Sequence, residues 1–348
     1  MLVANPPLSC PQPGIYMTTL NTHLSKLTFF YPFSPRYKVV VCRDLGPDVM
    51  PLLKEREEID LVLWPEDRPC DQQWLLDNIP GASGVVVMFS EKITPDLLDK
   101  AGPSLRVVST MSVGYEHIDT LALAQRGIKL GYTPDVLTDA VADVSILLAL
   151  MAGRNGGLAM DVVKNSEWPT CGWAPFGFCG PQISTTLSSP SRTVGFIGFG
   201  RIAQATLARL IPFGITSCIY YSNPSSPPKP QLERDLLAKY GIKSKRANSL
   251  GELAAESDIV FVLAPGGDKT KHLVDATFLS KMKKTAILVN ASRGTLVDSD
   301  ALAMALKEGK IWAAGLDVVE GEPNVTADHP LVREPRLAFQ FIIAKTYL

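Results

Sequence analysis

Short apolar runs alternate with amphipathic stretches along the first part of the chain. The runs, which are rich in Val, Ile and Leu, fall at 39–42, 61–64, 85–89, 107–110 and 128–130. Between them, stretches such as 49–58 and 118–126 carry apolar residues at helical spacing. Strands that alternate with helices form parallel sheets covered by helices. This part of the sequence therefore predicts an α/β unit.

A second alternation of the same kind follows a long apolar segment. Thr138 or Asp139 is the predicted N-cap of a helix that runs through Met151, and apolar side chains cover nearly all of its faces. We therefore expect a buried helix that connects two domains. After an irregular stretch, predicted strands recur at 193–197, 218–221, 259–263, 286–290 and 312–318. The predicted fold is α/β, with two doubly wound parallel-sheet domains.

Composition restricts the class of partner. The length of 348 residues agrees with two domains of roughly 150 residues each. Thirty-four Lys and Arg against 35 Asp and Glu give a net charge of -1, so no strong field attracts nucleic acid or anionic lipid. The longest strongly apolar stretch, 144–151, is far shorter than the ~20 residues of a membrane span. We expect a soluble protein with a small-molecule substrate and no nucleic-acid or membrane partner.

The cysteines and the N-terminal residues bear on the compartment. Six cysteines lie far apart with no C-x-x-C pair, which argues against a metal site and favours a reducing, cytoplasmic location. Residues 1–36 contain six prolines and no Asp or Glu, and we expect a poorly ordered extension there. An organelle-targeting segment is the alternative, although such segments are usually rich in Arg.

A glycine-rich turn opens the second unit. Gly198, Gly200 and Ala203 form the pattern G-x-G-x-x-A directly after a predicted strand and directly before a predicted helix. In that context the first Gly permits a tight turn, the second admits a pyrophosphate, and the small third residue lets helix and strand pack closely. The alternative is a turn that binds nothing. We expect the second domain to be a Rossmann dinucleotide-binding domain.

The residues after the next predicted strand indicate which cofactor is preferred. An NAD enzyme usually places Asp or Glu there to bind the ribose hydroxyls. This chain has Ser222 and Asn223 instead, and no carboxylate to repel a 2′-phosphate. The Arg expected nearby is also missing, and Lys229 offers the positive charge closest in sequence. The pattern favours NADP(H) over NAD(H).

Charged residues follow the last two predicted strands. Arg293 lies just beyond the run at 286–290, at the end of a parallel strand where open α/β sheets bind ligands. Its planar guanidinium suits a carboxylate or a polarised carbonyl. A surface ion pair with Asp298 is the alternative. Asp317, Glu320 and Glu322 follow the next strand and are candidates for tuning a catalytic acid, or else solvated loop charges.

Together these segments resemble a known family. Val113 and Gly114 within 109–119, the turn at 198–203, and the segments 290–298 and 315–323 occur in the order seen in D-isomer-specific 2-hydroxyacid dehydrogenases. The resemblance covers residues 38–337. The segments 109–114, 131–139 and 164–180 are most similar to the glyoxylate/hydroxypyruvate reductases of that family.

The resemblance implies roles for residues in both domains. Backbone amides at Val113 and Gly114 are implied to hold the substrate carboxylate, and Arg293 to bind the carboxylate and polarise the keto oxygen. Glu322 is implied to hydrogen-bond and tune a catalytic His. The expected cofactor contacts are Gly198, Gly200, Arg201, Ile202, Ala203, Ser222, Asn223, Ala264, Pro265, Ala291 and Asp317, the last near the nicotinamide.

A pair of tryptophans bears on assembly. Trp168 and Trp173 resemble the aromatic pair through which one subunit shapes its neighbour's substrate pocket, although their spacing is altered. The resemblance therefore implies a homodimer.

The family's general acid has no counterpart at its usual position. In the family this His follows a Pro, a short strand after a His-Pro-Leu turn. The turn is present at His329, but the family's spacing then places Ile342 at the catalytic position. We expect none of His23, His117, His272 and His329 to replace it.

The resemblance also implies a domain order. We expect an extension at 1–36, a substrate domain at 37–136, an NAD(P)-binding domain at 137–324 inserted into it, and a truncated return segment at 325–348. The implied function is NAD(P)H-dependent reduction of glyoxylate or hydroxypyruvate to the D-2-hydroxy acid, with impaired turnover because the His is missing. The alternative is a catalytically impaired NADP(H)-binding homologue that acts as a sensor or dimer partner.

Overall fold

Two parallel sheets organise the chain. The computed structural model describes residues 36–172, 180–187, 191–322, 324–334 and 337–339. The strands within these ranges are β1 Tyr37–Val41, β2 Ile59–Leu63, β3 Gly84–Val87, β4 Val107–Thr110, β5 Lys129–Gly131, β6 Thr193–Ile197, β7 Ser217–Tyr221, β8 Lys243–Arg246, β9 Ile259–Val262, β10 Ile287–Asn290, β11 Ala313–Leu316 and β12 Leu337–Phe339. The helices are α1 Met50–Lys54, α2 Gln72–Asn78, α3 Pro95–Ala101, α4 Thr120–Gln125, α5 Thr138–Gly153, α6 Gly156–Lys164, α7 Arg201–Leu210, α8 Pro230–Tyr240, α9 Leu250–Glu256, α10 Ala276–Lys281 and α11 Ser299–Lys307.

The strand orders identify both sheets as doubly wound. The first sheet has the order β2-β1-β3-β4-β5, and the second has the order β12-β11-β10-β9-β6-β7-β8. Neighbouring strands are parallel in both sheets. In the second sheet the order reverses between β6 and β9, and this crevice is where open α/β sheets bind ligands. The predicted fold class, with a Rossmann domain as the second unit, is confirmed.

The central strands of the second sheet are buried because helices cover both of its faces. Every residue of β9, β10 and β11 is buried, as expected for a parallel sheet. Phe196 of β6 stacks on Phe261 of β9 with ring centroids 5.5 Å apart. The strands whose ends carry the glycine-rich turn and Arg293 therefore stand on a rigid, close-packed core.

Helix α5 differs from its predicted form. It begins at Thr138, but its N-cap is Leu137, which makes no side-chain capping hydrogen bond. Leu148 is buried against β11, where a Cβ atom at Gly315 would lie 2.8 Å from the Leu148 Cβ atom. Leu147 and Leu150, by contrast, are 41% and 39% exposed. The predicted all-round burial is therefore wrong for this chain, since only one side of α5 packs on the sheet.

Two strands were not predicted. Lys243–Arg246 forms the edge strand β8 although its residues are polar, because its backbone pairs with β7. Leu337–Phe339 forms β12, which pairs with β11 in the second sheet, within the segment expected to return to the first domain. The domain boundaries themselves remain predictions, and residues 1–35 of the expected extension lie outside the described ranges.

The described helices are short relative to a bilayer, apart from one bent pair. No single one of them is long and apolar enough to cross a membrane, whereas α5 and α6, bent by 68° at their junction, meet the length and composition test as a pair.

Candidate active site

The glycine-rich turn lies where β6 ends beside β9. Gly198 has a φ of +88°, and a Cβ atom there would lie 2.7 Å from the Cα atom of Ala264. Only glycine satisfies both conditions. A Cβ atom at Gly200 would meet nothing within 4 Å, so the backbone beside it is open. Helix α7 begins immediately afterwards at Arg201, and its first-turn amides point towards this opening.

The other predicted cofactor residues surround the same opening. Ala264, Pro265 and Ala291 follow β9 and β10, and Ser222 and Asn223 follow β7. The Ser222 Oγ atom is buried and has no hydrogen-bond partner within the described ranges. Ile202 and Ala203 lie in the first turn of α7, with Ala203 fully buried against the core. An open glycine backbone, a helix N-terminus and an unpartnered hydroxyl together fit a dinucleotide.

Arg246 is a residue that sequence reasoning missed. Its guanidinium donates hydrogen bonds to the carbonyl oxygens of Asn223 at 2.8 Å and Ser226 at 2.9 Å. Lys229 donates from Nζ to the Phe199 carbonyl, next to the glycine-rich turn, at 2.7 Å. Two cations are therefore associated with the loop after β7 and the glycine-rich turn. The sequence carried little signal for Arg246, because it ends the polar edge strand β8, which had not been predicted.

Arg293 is fixed at the end of β10 by Asn290. The Asn290 side chain donates to the Arg293 carbonyl at 2.9 Å, and its Oδ1 atom accepts from the backbone and hydroxyl of Ser292. The next residue, Gly294, packs so closely that a Cβ atom would lie 2.1 Å from the carbonyl carbon of Val319. These contacts hold the Arg293 backbone and direct its side chain towards the first domain.

Arg293 reaches the loop after β4. A Cβ atom at Gly114 would lie 1.8 Å from the Arg293 Nη2 atom, so the guanidinium lies directly on the Gly114 backbone. The same Nη2 atom donates to Glu116 Oε2 at 3.2 Å. Within the loop, Ser112 donates from Oγ to the Gly114 carbonyl at 2.6 Å. The structure thus brings together the predicted carboxylate-binding residues of the two domains.

Glu322, one of the acids after β11, lies within electrostatic reach of Arg293. Burial raises the pKa of Glu322 above its ordinary value, and the charge of Asp317 adds to this, against opposing effects of the Val319 amide and Arg293. The Val319 N–H donates to Glu322 Oε2 at 3.4 Å. Glu320 is engaged elsewhere, since its carboxylate lies 2.8 Å from His272 Nε2. Glu322 is therefore an acid of this group whose pKa is raised in the folded protein.

The histidines in the described ranges have other partners. His117 Nε2 lies 3.1 Å from Thr110 Oγ1, and desolvation lowers the pKa of its ring although Glu116 and Glu91 oppose this. His329 accepts at Nδ1 from the Leu331 amide at 3.3 Å, within its turn. His23 and Ile342, the predicted position of the missing acid, lie outside the described ranges.

The two predicted cross-subunit aromatics are only partly described. Trp168 lies in the 3-10 turn Trp168–Thr170 and is 69% exposed. Trp173 lies outside the described ranges. Arg201, predicted to contact the cofactor, forms an ion pair with Asp135 of the first domain, with Nε 2.6 Å from Oδ1.

Comparison with known proteins supplies the class of chemistry. Residues 39–223 match the family model for the catalytic domain of D-isomer specific 2-hydroxyacid dehydrogenases, and residues 146–341 match the model for their NAD binding domain. The chain is 37% identical to the human glyoxylate reductase/hydroxypyruvate reductase over 295 residues. The matched region covers 85% of this chain and 84% of that protein. It is 39% identical over 290 residues to glyoxylate reductase from Thermococcus kodakarensis, covering 83% and 81% of the two chains.

A solved structure has a similar fold. The NADPH-dependent glyoxylate/hydroxypyruvate reductase from Sinorhizobium meliloti, in complex with NADP and malonate, is 31% identical, with a TM-score of 0.71 and coverage of 90% of this chain and 88% of that one. Because the family matches extend across both parallel sheets and the cleft residues between them, the chain belongs to the D-isomer specific 2-hydroxyacid dehydrogenases, a family of oxidoreductases.

Proposed function

We propose that this protein binds NADP(H) and reduces a small 2-keto acid, glyoxylate or hydroxypyruvate, to the D-2-hydroxy acid. The observation that carries the proposal is the position of Arg293, whose guanidinium lies on the Gly114 backbone beside the crevice of the second sheet. A cationic fork against a glycine backbone suits a small substrate that carries a carboxylate next to a carbonyl. The human relative is a glyoxylate reductase/hydroxypyruvate reductase by name, which supports this substrate class.

The proposed mechanism assigns one task to each group. When bound, the nicotinamide cofactor supplies the hydride. The backbone amides of Val113 and Gly114 hold the substrate carboxylate, while Arg293 binds the carboxylate and stabilises the negative charge that develops on the keto oxygen. In the family Glu322, whose pKa is raised here, would orient and tune the proton-donor His, for which this chain has Ile342. By the same resemblance Asp317 would lie near the nicotinamide when the cofactor is bound.

This chain lacks the family's proton donor at its usual position. At the position where the family carries its His, the sequence has Ile342. Loss of a general acid typically lowers the rate by about 10²–10⁴-fold. We therefore propose slow turnover with cofactor binding retained.

The cofactor preference rests on the loop after β7. It offers Ser222 and Asn223 and no carboxylate, and Arg246 and Lys229 add positive charge nearby. A 2′-phosphate is an anion that such a site accommodates and that an Asp or Glu would repel. We propose NADP(H) as the preferred cofactor.

We also propose a homodimer in the cytoplasm. Met160 and Val163 of α6 are 49% and 51% exposed, close in sequence to the exposed Trp168. These large apolar side chains suit burial against a second copy of the chain. The free thiols of Cys42, Cys70, Cys171 and Cys218 suit a reducing compartment.

A second candidate function follows from Ile342. A chain that keeps the glycine-rich turn but lacks the proton donor is suited to bind NADP(H) as a sensor, or to pair with a complete subunit. Two measurements distinguish the functions: steady-state oxidation of NADPH with glyoxylate or hydroxypyruvate, and thermal-shift titration with NADPH alone. Turnover above the uncatalysed rate that is lost in Arg293→Ala supports the reductase. Stabilisation by NADPH without turnover supports the second function, and no stabilisation contradicts both.

A further inference from the structure

Both terminal nitrogens of Arg293 already have acceptors. Nη1 donates to the Ser292 carbonyl at 2.8 Å, and Nη2 donates to Glu116 Oε2 at 3.2 Å. Bidentate binding of a carboxylate needs two parallel N–H groups of the guanidinium. Each terminal nitrogen carries a second N–H group, so Glu116 obstructs a substrate through the space that it fills beside Nη2 and not by using up the donors of Arg293.

Glu116 is the releasable partner. The Ser292 carbonyl belongs to the backbone immediately before Arg293, whereas Glu116 reaches Arg293 from the other domain, 177 positions away in sequence. Its side chain is 37% exposed and that of Arg293 is 44% exposed. An ion pair with this exposure contributes little to stability, so a bound ligand readily offsets its loss.

Glu116 remains a carboxylate in this setting. Burial acts to raise the pKa of Glu116, but the charge of Arg293 and hydrogen bonds from backbone amides, including that of Gly266, outweigh it and leave the pKa below its ordinary value. The side chain therefore presents a permanent negative charge to the cleft at neutral pH.

The space that Glu116 occupies is the space proposed for the substrate. A Cβ atom at Gly114 would lie 2.5 Å from Glu116 Oε2 and 1.8 Å from Arg293 Nη2. The Glu116 carboxylate, the end of Arg293 and the Gly114 backbone thus share one small volume. A substrate carboxylate cannot contact both Gly114 and Nη2 while Oε2 stays there.

We propose that Glu116 is a specificity-determining residue, a resident carboxylate that holds Arg293 until a keto-acid monoanion displaces it and that disfavours ligands with a second negative charge. The inference rests on the proposed role of Arg293. A displaced Glu116 remains beside the bound ligand because its backbone is fixed on the loop after β4. Its charge then repels a dianion more than a monoanion of the same shape.

A matched pair of anions tests this inference without requiring turnover. Oxamate and oxalate have the same shape, but oxamate carries one negative charge and oxalate two at neutral pH. Calorimetric dissociation constants are measured for both on the full chain saturated with NADPH. The variants are Glu116→Gln, which keeps the shape and removes the charge, Glu116→Ala as a second truncation, Arg293→Ala, and Glu57→Gln as a control at an exposed site before β2.

The expected result is a change in charge selectivity. In Glu116→Gln and Glu116→Ala, oxamate binds about three- to tenfold more tightly, and oxalate gains more, so the oxalate-to-oxamate ratio of dissociation constants falls. Glu57→Gln leaves the ratio unchanged, and Arg293→Ala weakens both anions. An unchanged ratio or weaker binding in both Glu116 variants, with Arg293→Ala still weakened, overturns the inference and leaves the proposed function intact. Unchanged binding in Arg293→Ala overturns the proposed function itself.

Discussion

Gly198 and Ala264 approach so closely at the ends of β6 and β9 that a Cβ atom on Gly198 would lie 2.7 Å from the Ala264 Cα atom. Gly198→Ala therefore has to move a backbone segment as well as hold a φ of +88°. We expect a lower free energy of unfolding and loss of the NADPH-induced thermal shift. Gly241→Ala is the control, because Gly241 has a φ of +68° but open space around its Cβ position. Gly241→Ala should lower the free energy of unfolding by about 1–2 kcal/mol and keep the NADPH-induced thermal shift. Equal NADPH responses in the two variants would contradict the prediction.

A carboxylate after β7 should change the cofactor preference. Ser222→Asp places a hydrogen-bond acceptor for ribose hydroxyls next to the site proposed for a 2′-phosphate, which it repels. We expect the ratio of NADPH to NADH dissociation constants to rise by about tenfold or more, measured by fluorescence titration. Ser249→Asp adds the same charge at the N-cap of α9, where Ser249 already caps the helix, and should leave the ratio unchanged. A matching change in the control would show that net charge alone is responsible.

Arg246 should contribute selectively to NADPH. Its guanidinium holds the Asn223 and Ser226 carbonyls and adds positive charge beside the loop. We expect Arg246→Ala to weaken the binding of NADPH more than that of NADH. Fluorescence titration with both cofactors measures this difference. Lys243→Ala, at the start of the same strand, is the matched control. If Arg246→Ala weakens the binding of NADPH and NADH equally, Arg246 supports the loop without selecting between the cofactors.

Restoring the family's proton donor should restore turnover. Ile342→His places an imidazole at the sequence position where the family has one, and a general acid is worth about 10²–10⁴-fold in rate. The measurement is kcat for NADPH oxidation with glyoxylate and with hydroxypyruvate. Ile343→His adds the same side chain one position later and should have no effect. If neither variant gains activity, a His at position 342 is insufficient in this chain.

Glu322 should make stability depend on pH. Its pKa is raised in the folded protein, chiefly by burial, so as pH rises the unfolded chain releases this proton first. The free energy of unfolding therefore falls through a window that begins near the ordinary pKa of 4.5. Glu322→Gln removes this loss. In urea unfolding, we expect the free energy of unfolding to fall less between pH 4 and pH 8 in Glu322→Gln than in the native chain. Glu57→Gln, at an exposed site before β2, is the control variant.

The sequence predicted those parts of the site that depend on local pattern. The turn at Gly198 was predictable because its spacing and flanking elements lie within a dozen residues. Arg246 was missed because β8 consists of Lys, Ser, Lys and Arg and lacks the apolar run that indicates a strand. Its edge position explains this, since backbone pairing with one neighbour suffices there. The contact between Glu116 and Arg293 depends on how two domains meet, which no local pattern encodes.

The ion pair between Arg201 and Asp135 has a further consequence for the cleft. Like the ion pair of Arg293 and Glu116, it joins the two domains. The side chains of Arg201 and Asp135 are 63% and 57% exposed. Dissolved ions weaken such attractions, with a screening length of about 10 Å at 0.1 M salt. We therefore expect added salt to weaken both ion pairs and to favour a more open cleft.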